Sequence, residues 1–570
     1  MSKPRNDLIR TRLSYAALSI IFLAAAATQA KVQFFGRQEV LDLADESRRY
    51  EVEKDEIARR GTIFSADNRV LAQSEDAYEL GVRFDRTPQS PGFLLALSQA
   101  SGLAMTELNP PEKGERQNRT WRQVYSIDKA RQIKKVKRDW RADGISLTPL
   151  LQRSYPMGEA ASGLVGMIRD HKPITGLEYS QNSYLAGRDG SVKGYVDRTG
   201  VFMPSEGQDA ERRVNGQSLT LTVDSKIQQI ATLSVRAAVE RHGATSGCAL
   251  VLDPKTGYLI AMANWPTVDP NASIKTGQEF NAAYMNVLEP GSTFKILTLA
   301  KALDEGKVSL GSGVSCGGKL TVVRGHDIHC SHGAHGALDL TGAIAQSCNV
   351  AASLWALKIG REPMIEFIQQ LGLLEKGNLG LPLERAGLFN FKDQGERLQL
   401  ANVGFGQAIN VSPVALISAF GVFANGGVRM KPQLVMKRGE LVQPPIEAGP
   451  VISAEVADDV LRMMESTIQS DSGTGKSLRI PGYRLAGKTG TAQKVQKGQV
   501  RGYVSNFVGF VPAKNPRAVV LVMINDPKVG GYYGGDVAGP VFTDLARALI
   551  ARYGIPSDQG SKDSGGTLSP

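Results

Sequence analysis

The sequence predicts a multi-domain chain: an N-terminal transmembrane helix, a β-rich module of mixed α+β character, and a larger C-terminal α/β domain. Three observations predict it. One long apolar run near the N-terminus follows a cluster of cations. Between residues 59 and 216, short apolar bursts are separated by Pro, Gly and charge clusters. From Ser218 onward, strong strand patterns stand at both ends of a helix-rich stretch, so a sheet must pair distant segments.

Composition sets the outer bounds. The chain has 570 residues, 42% hydrophobic and 22% charged, which excludes a wholly disordered polymer. That length corresponds to about two to four domains, each able to bury its own core. Four cysteines are too few for a disulfide scaffold, and 6% aromatic residues argue against a base-stacking surface. The net charge of +11 favours anionic partners as a class and names none.

Lys3, Arg5, Arg10 and Arg12 precede the uncharged run 13–27, LSYAALSIIFLAAAA. Extended to Ala30 it reaches about 18 residues, enough to cross a bilayer as a helix. The basic flank makes residues 1–12 a cytoplasmic tail and 13–31 a single-pass anchor in the cytoplasmic (inner) membrane, with everything beyond on the extracytoplasmic side. A cleaved signal peptide is the rival reading, because Thr28 and Ala30 are small residues at −3 and −1 before Lys31; both readings export the rest.

Residues 32 to about 60 read as a solvated helix or stalk, on charge alternation such as Glu46, Arg48, Arg49 and Glu51. Residues 32–215 form the mixed module. Within it the basic run 131–141 (RQIKKVKRDWR) reads as a solvated helix face; its one aromatic, Trp140, gives no case for nucleic acid. Residues 216–555 form the α/β domain. LTLTV (219–223) is a strand, Asp224 an N-cap, and a helix follows over 227–238. CALVLD (248–253) and YLIAMA (258–263) make one hairpin, FVGFVPA (507–513) and AVVLVMIND (518–526) another. Helices are expected at 294–304, 341–359, 411–425 and 454–469, and the tail 556–570 has nothing to bury.

Three short motifs carry the chemistry. In Ser292-Thr293-Phe294-Lys295, a turn at Glu289-Pro290-Gly291 precedes a helical apolar pattern, so Ser292 stands at a helix N-terminus, where developing negative charge is favoured. Lys295 lies one turn on, on the same face; a desolvated lysine can take the proton of a serine hydroxyl and make it a nucleophile. The second motif, Ser347-Cys348-Asn349, opens a possible helix. The third, Lys488-Thr489-Gly490-Thr491, has the character of a strand edge supplying a cation, a hydroxyl and a close backbone approach. Each alone is also a cap, a surface lysine or a turn; the three in this order are specific. The chance P-loop pattern spanning Gly482 to Thr489 is set aside, because no helical stripe follows it.

The ordered set S-x-x-K, S-x-N and K-T-G resembles the signature of penicillin-binding proteins. Together with phrases such as RRGTIFSADNRVLA (59–72), GLEYSQNSYLAGRDG (176–190) and VGFGQAINVSPVAL (403–416), the exported chain is similar to class B penicillin-binding proteins of the septal, penicillin-binding protein 3-like kind. The resemblance implies a pedestal or dimerisation-type domain and a penicillin-binding transpeptidase domain with an antiparallel sheet and a helical subdomain. It implies peptidoglycan D,D-transpeptidase activity in septal cell-wall synthesis, inhibited by β-lactams, with no cofactor. By motif, Ser292 would attack between the terminal D-alanines of a stem peptide and Lys295 would take its proton. Ser347 would relay protons to the leaving D-alanine, Asn349 would hold the substrate amide, and Lys488, Thr489 and Gly490 would bind the carboxylate edge. The N–H groups of Ser292 and Thr491 would form the oxyanion hole. Implied partners are peptidoglycan stem peptides, β-lactam antibiotics, the membrane, and a glycosyltransferase with other division proteins, but no nucleic acid.

Two features depart from the pattern. Cys348 stands where septal relatives more often have serine, as a small apolar filler or an oxidisable thiol. Residues 326–335 hold four of the six histidines and Cys330, making His326, His329, Cys330, His332 and His335 metal candidates. No metal is expected there, since in an alternating strand only every second side chain shares a face. Rival functions are a D,D-carboxypeptidase, a β-lactamase-like hydrolase, and a non-catalytic β-lactam sensor.

Overall fold

The computed structural model describes residues 4–31, 51–112, 115–169, 172–196, 202–204, 211–272, 280–331, 333–391, 395–496 and 499–558. By internal contacts the chain divides into two compact units, Met1–Ala58 with Gly187–Asn215, and Arg59–Ala186 with Gly216–Pro570.

The first unit contains the helix Pro4–Ala30 and a three-stranded antiparallel sheet. Within the helix, Thr11–Ala30 is long and apolar enough to cross a membrane, and its residues are exposed among the described residues. In the sheet, Glu51–Glu56 pairs with Gly190–Val196, which pairs in turn with Phe202–Pro204. The stalk expected over residues 32–60 is therefore corrected at its C-terminal end. Alternating charges at period 2 suit an exposed strand as well as a helix face, and the partner strand decided between them. Residues 32–50 lie outside the described residues.

The second unit is built on two sheets. A seven-stranded sheet runs in the order Leu441–Val442, Val435–Arg438, Leu219–Leu221, Ile63–Phe64, Val70–Arg83, Asn118–Ser126, with Ile145–Ser154 also pairing to Val70–Arg83. Leu219–Leu221 lies parallel to Ile63–Phe64, so residues 59–186 are stitched to the C-terminal residues by backbone hydrogen bonds. Helices Pro91–Ser101 and Ile127–Asp139 cover the Val70–Arg83 strand through Phe93, Leu97 and Ile133, with Tyr125 of the strand Asn118–Ser126 in the same core. Ile127–Asp139 carries most of the basic run; Ala130 and Ile133 face inward, and the cations form its solvated side.

The other sheet is five-stranded and wholly antiparallel, in the order Leu259–Trp265, Ser246–Leu252, Ala518–Asn525, Gln499–Val511, Ala486–Gln496. Its side chains alternate between two cores, as a period of 2 requires. Leu250, Leu521, Val508 and Phe510 face helices Phe294–Asp304, Pro413–Ala424 and Ala454–Gln469. Val251, Val520, Val522 and Phe507 face helices Ser225–Arg241 and Gly539–Tyr553, with the Phe507 and Phe542 rings 4.7 Å apart. Both expected hairpin partners are in this sheet, and Asp224 caps its helix by accepting from the Lys226 and Ile227 N–H groups.

Two expectations are revised. The stretch 341–359 is two helices, Leu340–Ala345 and Asn349–Ile359, because Ser347 adopts φ +56° and breaks the ladder. The start of the tail is fastened: Asp558 accepts from the Arg484 N–H at 2.6 Å and donates its own to the Gly482 carbonyl. Residues 559–570 lie outside the described residues.

One buried ion cluster holds the early segments together. Glu178 is fully buried and takes Arg60 at 2.5 Å on one oxygen and Arg153 at 2.7 Å on the other. Arg60 also donates to the Glu178 carbonyl and to Asn182, and Arg153 to the Gly61 carbonyl. Removing the carboxylate would leave two desolvated guanidinium groups without a counter-charge. Glu178→Ala is expected to destabilise the protein by about 3–5 kcal/mol, read as an earlier denaturation midpoint in urea.

Candidate functional site

The site forms where three segments meet at the open edge of the five-stranded sheet. The Gly291–Thr293 3₁₀ turn leads into the helix Phe294–Asp304, so Ser292 sits in the turn just before the helix. Gly291 has φ +57°, and a Cβ there would lie 3.1 Å from both the Thr491 carbonyl oxygen and Ala492 Cβ. Only glycine lets this turn lie so close against the strand Ala486–Gln496. The Ser292 hydroxyl makes no hydrogen bond among the described residues. Such bonds often tighten only once substrate is present.

Lys295, one turn along, is 1% exposed; Lys488, on the edge strand, is wholly buried. Their amines converge on one residue. Lys295 Nζ donates to the Ser347 carbonyl at 2.6 Å and to Ser347 Oγ at 3.1 Å, while Lys488 Nζ donates to the same Oγ at 3.0 Å. Loss of water pushes the Lys295 amine down to about 7, with the nearby sulfurs of Cys330 and Cys348 opposing the fall. Lys488 is held well below its usual value by burial, and then by the Lys295 charge beside it. A hydroxyl has two lone pairs. With both occupied by amines, the Ser347 hydroxyl keeps its own hydrogen to donate.

The remaining motif residues are placed as follows. Thr489 Oγ1 lies 2.8 Å from Thr474 Oγ1. Thr491 Oγ1 accepts from the Gly534 N–H at 3.2 Å. Asn349 directs its amide to the His329 carbonyl at 2.7 Å, which ties the helix start to the strand His326–His329. That strand lines a cavity of about 600 Å³ with Leu398 and Asn402. The Gly482 to Thr489 segment runs into a strand, consistent with setting its P-loop pattern aside.

Sequence reasoning missed several contributors. Asn506, opposite Gly490 in the register, is fully buried and donates to the Pro290 carbonyl at 3.1 Å, linking the sheet to the turn that carries Ser292. A Cβ on Gly490 would fall 1.9 Å from Asn506 Oδ1, so the glycine makes room for a cross-strand side chain. Tyr503 stacks on Tyr532 at 3.9 Å, and the Tyr533 ring lies tilted against Tyr532 at 4.8 Å, just before Gly534. An isolated buried Asn and three tyrosines give no local signal.

The metal candidates are regrouped. Cys330 and His335 do come together, but with Cys316 and Cys348, the ligand atoms of all four lying within 4.8 Å of one another. His326 and His329 are solvent-exposed and outside this cluster, and His332 lies outside the described residues.

The chain was compared with known proteins. Residues 247–547 match the penicillin binding protein transpeptidase domain family, and residues 55–221 the penicillin-binding protein dimerisation domain family. Stage V sporulation protein D of Bacillus subtilis is 29% identical over 96% of this chain and 87% of its own length. Peptidoglycan D,D-transpeptidase FtsI of Escherichia coli K12 is 33% identical over 76% of this chain and 72% of its own. The crystal structure of penicillin-binding protein 3 from Mycobacterium tuberculosis complexed with ampicillin superimposes with a TM-score of 0.68 at 27% identity, covering 90% of this chain and 99% of that one. A fold, an ordered motif set and family matches that agree in this way have one reading: the chain belongs to the penicillin-binding proteins, in the class B arrangement of a dimerisation domain followed by a transpeptidase domain.

Proposed function

We propose that this protein is a serine peptidoglycan D,D-transpeptidase of septal cell-wall synthesis, in which Ser292 forms an acyl-enzyme with the penultimate D-alanine of a stem peptide. The observation that carries the reading is the convergence of Lys295 and Lys488 on Ser347 beside the Ser292 turn. Lys295, neutral once its amine is desolvated, takes the Ser292 proton as Oγ attacks the carbonyl between the two D-alanines. The N–H groups of Ser292 and Thr491 receive the oxyanion, each donor being worth about 3 kcal/mol. Ser347 passes a proton to the departing D-alanine nitrogen, and the C–N bond breaks. The amine of a second stem peptide then attacks the acyl carbon and releases Ser292, giving the cross-link. Lys488 and Thr489 hold the terminal carboxylate, Gly490 and Thr491 lie along the substrate backbone, and Asn349 takes the amide once it exchanges the His329 carbonyl for substrate. β-Lactams present the same carboxylate and a strained amide, and acylate Ser292 in the same way.

The helix Thr11–Ala30 and its basic flank support a single-pass anchor with the catalytic domain extracytoplasmic. A glycosyltransferase and other division proteins are the partners such a placement implies.

Mass spectrometry after exposure to benzylpenicillin is expected to place one adduct on Ser292, with none on Ser292→Ala; an adduct at another residue would overturn the assignment. The acylation rate should depend on the neutral fraction of Lys295, whose neighbours are Ser347, Lys488, Cys330 and Cys348. Below about pH 7 the amine is protonated and cannot accept a proton. The rate therefore falls about tenfold per pH unit on the acid side and levels off above neutrality. Gly490→Ala drives a methyl group into the Asn506 amide, displacing the edge strand from the Ser292 turn. Acylation should fall at least a hundredfold (about 2.7 kcal/mol) while the circular dichroism spectrum is retained.

A further inference from the structure

Cys316, Cys330, His335 and Cys348 come from three structural pieces that share no local periodicity. Cys316 ends the strand Gly313–Cys316, which pairs with Gly336–Asp339; His335 immediately precedes that partner and donates its backbone N–H to the Cys316 carbonyl at 3.1 Å. Cys330 follows the strand His326–His329 and bonds back to the Gly318 carbonyl at 2.9 Å. Cys348 is the N-cap of the helix Asn349–Ile359, its sulfur accepting from the Ala351 N–H at 3.4 Å. Two small hairpins and a helix start thus aim four side chains at one point, with all four donor atoms within 4.8 Å of one another.

The distances discriminate among explanations. Cys316 Sγ and Cys330 Sγ are 3.6 Å apart, and Cys330 Sγ and Cys348 Sγ 3.7 Å. A disulfide needs about 2.05 Å. Two thiolates on one tetrahedral zinc, each about 2.3 Å from the metal, stand about 3.8 Å apart. The three sulfurs are buried, at 1%, 8% and 1% exposure in chain order. A second observation points to a missing partner. Both ring nitrogens of His335 are shut off from solvent, yet neither has a hydrogen bond among the described residues. A shielded imidazole of this kind costs free energy unless something occupies its donor or acceptor position, and the groups it faces are three thiols.

We propose that Cys316, Cys330, His335 and Cys348 form a closed Cys₃His structural zinc site that fastens the turn carrying Ser347 and Asn349. Three sulfur ligands select a soft or borderline ion over magnesium or calcium. With every coordination position filled by protein the site offers no place for a reacting water, so its role is structural. Binding releases the three thiol protons, and the divalent ion with three thiolates and a neutral imidazole leaves a single negative charge. The backbone N–H groups at the start of the helix Asn349–Ile359 lie toward that charge, as an outer shell should. Since Cys348 sits between Ser347 and Asn349 in sequence, metal on its sulfur fixes the backbone that presents both.

The experiment is elemental analysis of the full-length protein, purified in detergent with a thiol reductant and without chelator. The expected result is one zinc per chain, lost in Cys316→Ser and Cys330→Ser and kept in His335→Cys, because four thiolates also satisfy zinc. Cobalt substitution of the wild type should give thiolate-to-metal charge-transfer absorption. Less than a tenth of an equivalent of zinc in the reduced wild type, equal zinc in Cys330→Ser, or a wild-type mass short by two hydrogens from a disulfide would each overturn the site. The fastening role, which rests on the acyl-enzyme reading, predicts that zinc loss slows acylation by about tenfold; unchanged acylation after zinc loss overturns that role. Wild-type protein that holds zinc but is not acylated at Ser292 would sink the acyl-enzyme reading and leave the metal site standing.

Discussion

Two lysine amines end inside the protein against the same serine hydroxyl, and the cost of taking them from water governs the rest of the site. Among the described residues, neither Lys295 nor Lys488 has a carboxylate counter-ion as a hydrogen-bond partner; their contacts are the hydroxyls and carbonyls of Ser347 and Thr489. Burial disfavours the ammonium form, and a second ammonium nearby disfavours it further. The pair therefore shares less than its full charge. That deficit makes a normally inert amine available as a base at neutral pH. In solvent the same lysine would stay protonated.

Holding that arrangement takes a rigid frame. The edge strand that carries Lys488 is anchored by its partner Gln499–Val511, which passes through both cores by alternation of Phe507 and Val508. The Ser292 turn is fixed to the sheet by Gly291 lying against Thr491 and by the Asn506 amide on the Pro290 carbonyl. The Ser347 turn is less conventional. A non-glycine residue at φ +56° stores strain of about 1–3 kcal/mol, which the surrounding contacts must offset. Lys295 binds both the carbonyl and the hydroxyl of that residue, so the site and the strained turn stabilise one another.

The basic helix Ile127–Asp139 shows how a charge run can be read without invoking a partner. Ala130 and Ile133 supply its inward stripe, and the cations occupy what remains of the circumference. The seven-stranded sheet also explains why residues 59–186 and the C-terminal residues form one compact unit: Ile63–Phe64 sits between Leu219–Leu221 and Val70–Arg83. Distant phrases of the sequence, RRGTIF and GLEYS, meet in the Glu178 ion cluster.

Much was legible in the amino-acid order alone. A local period suffices for an apolar helix near the N-terminus, for the hairpins at 248–263 and 507–526, and for the helix after Ser292, because each is written in adjacent residues. The ordered motifs likewise named Ser292, Lys295, Ser347 and Lys488 before any geometry. Tertiary structure decided the rest. Periodicity runs through 341–359 without a break, yet the two lysines and Cys348 support a left-handed residue in the middle of it. The histidine-rich segment offered four histidines on a strand that could present only alternate ones. Folding instead gathered Cys330 and His335 with cysteines 14 residues before and 18 after Cys330. The charged run ending at Glu56 became a strand because residues 190–196 lay beside it. Asn506 acquired its place only by standing opposite Gly490. In each case the deciding partner is remote along the chain, and a local pattern carries no information about which remote segment will supply the missing hydrogen bond, charge or ligand.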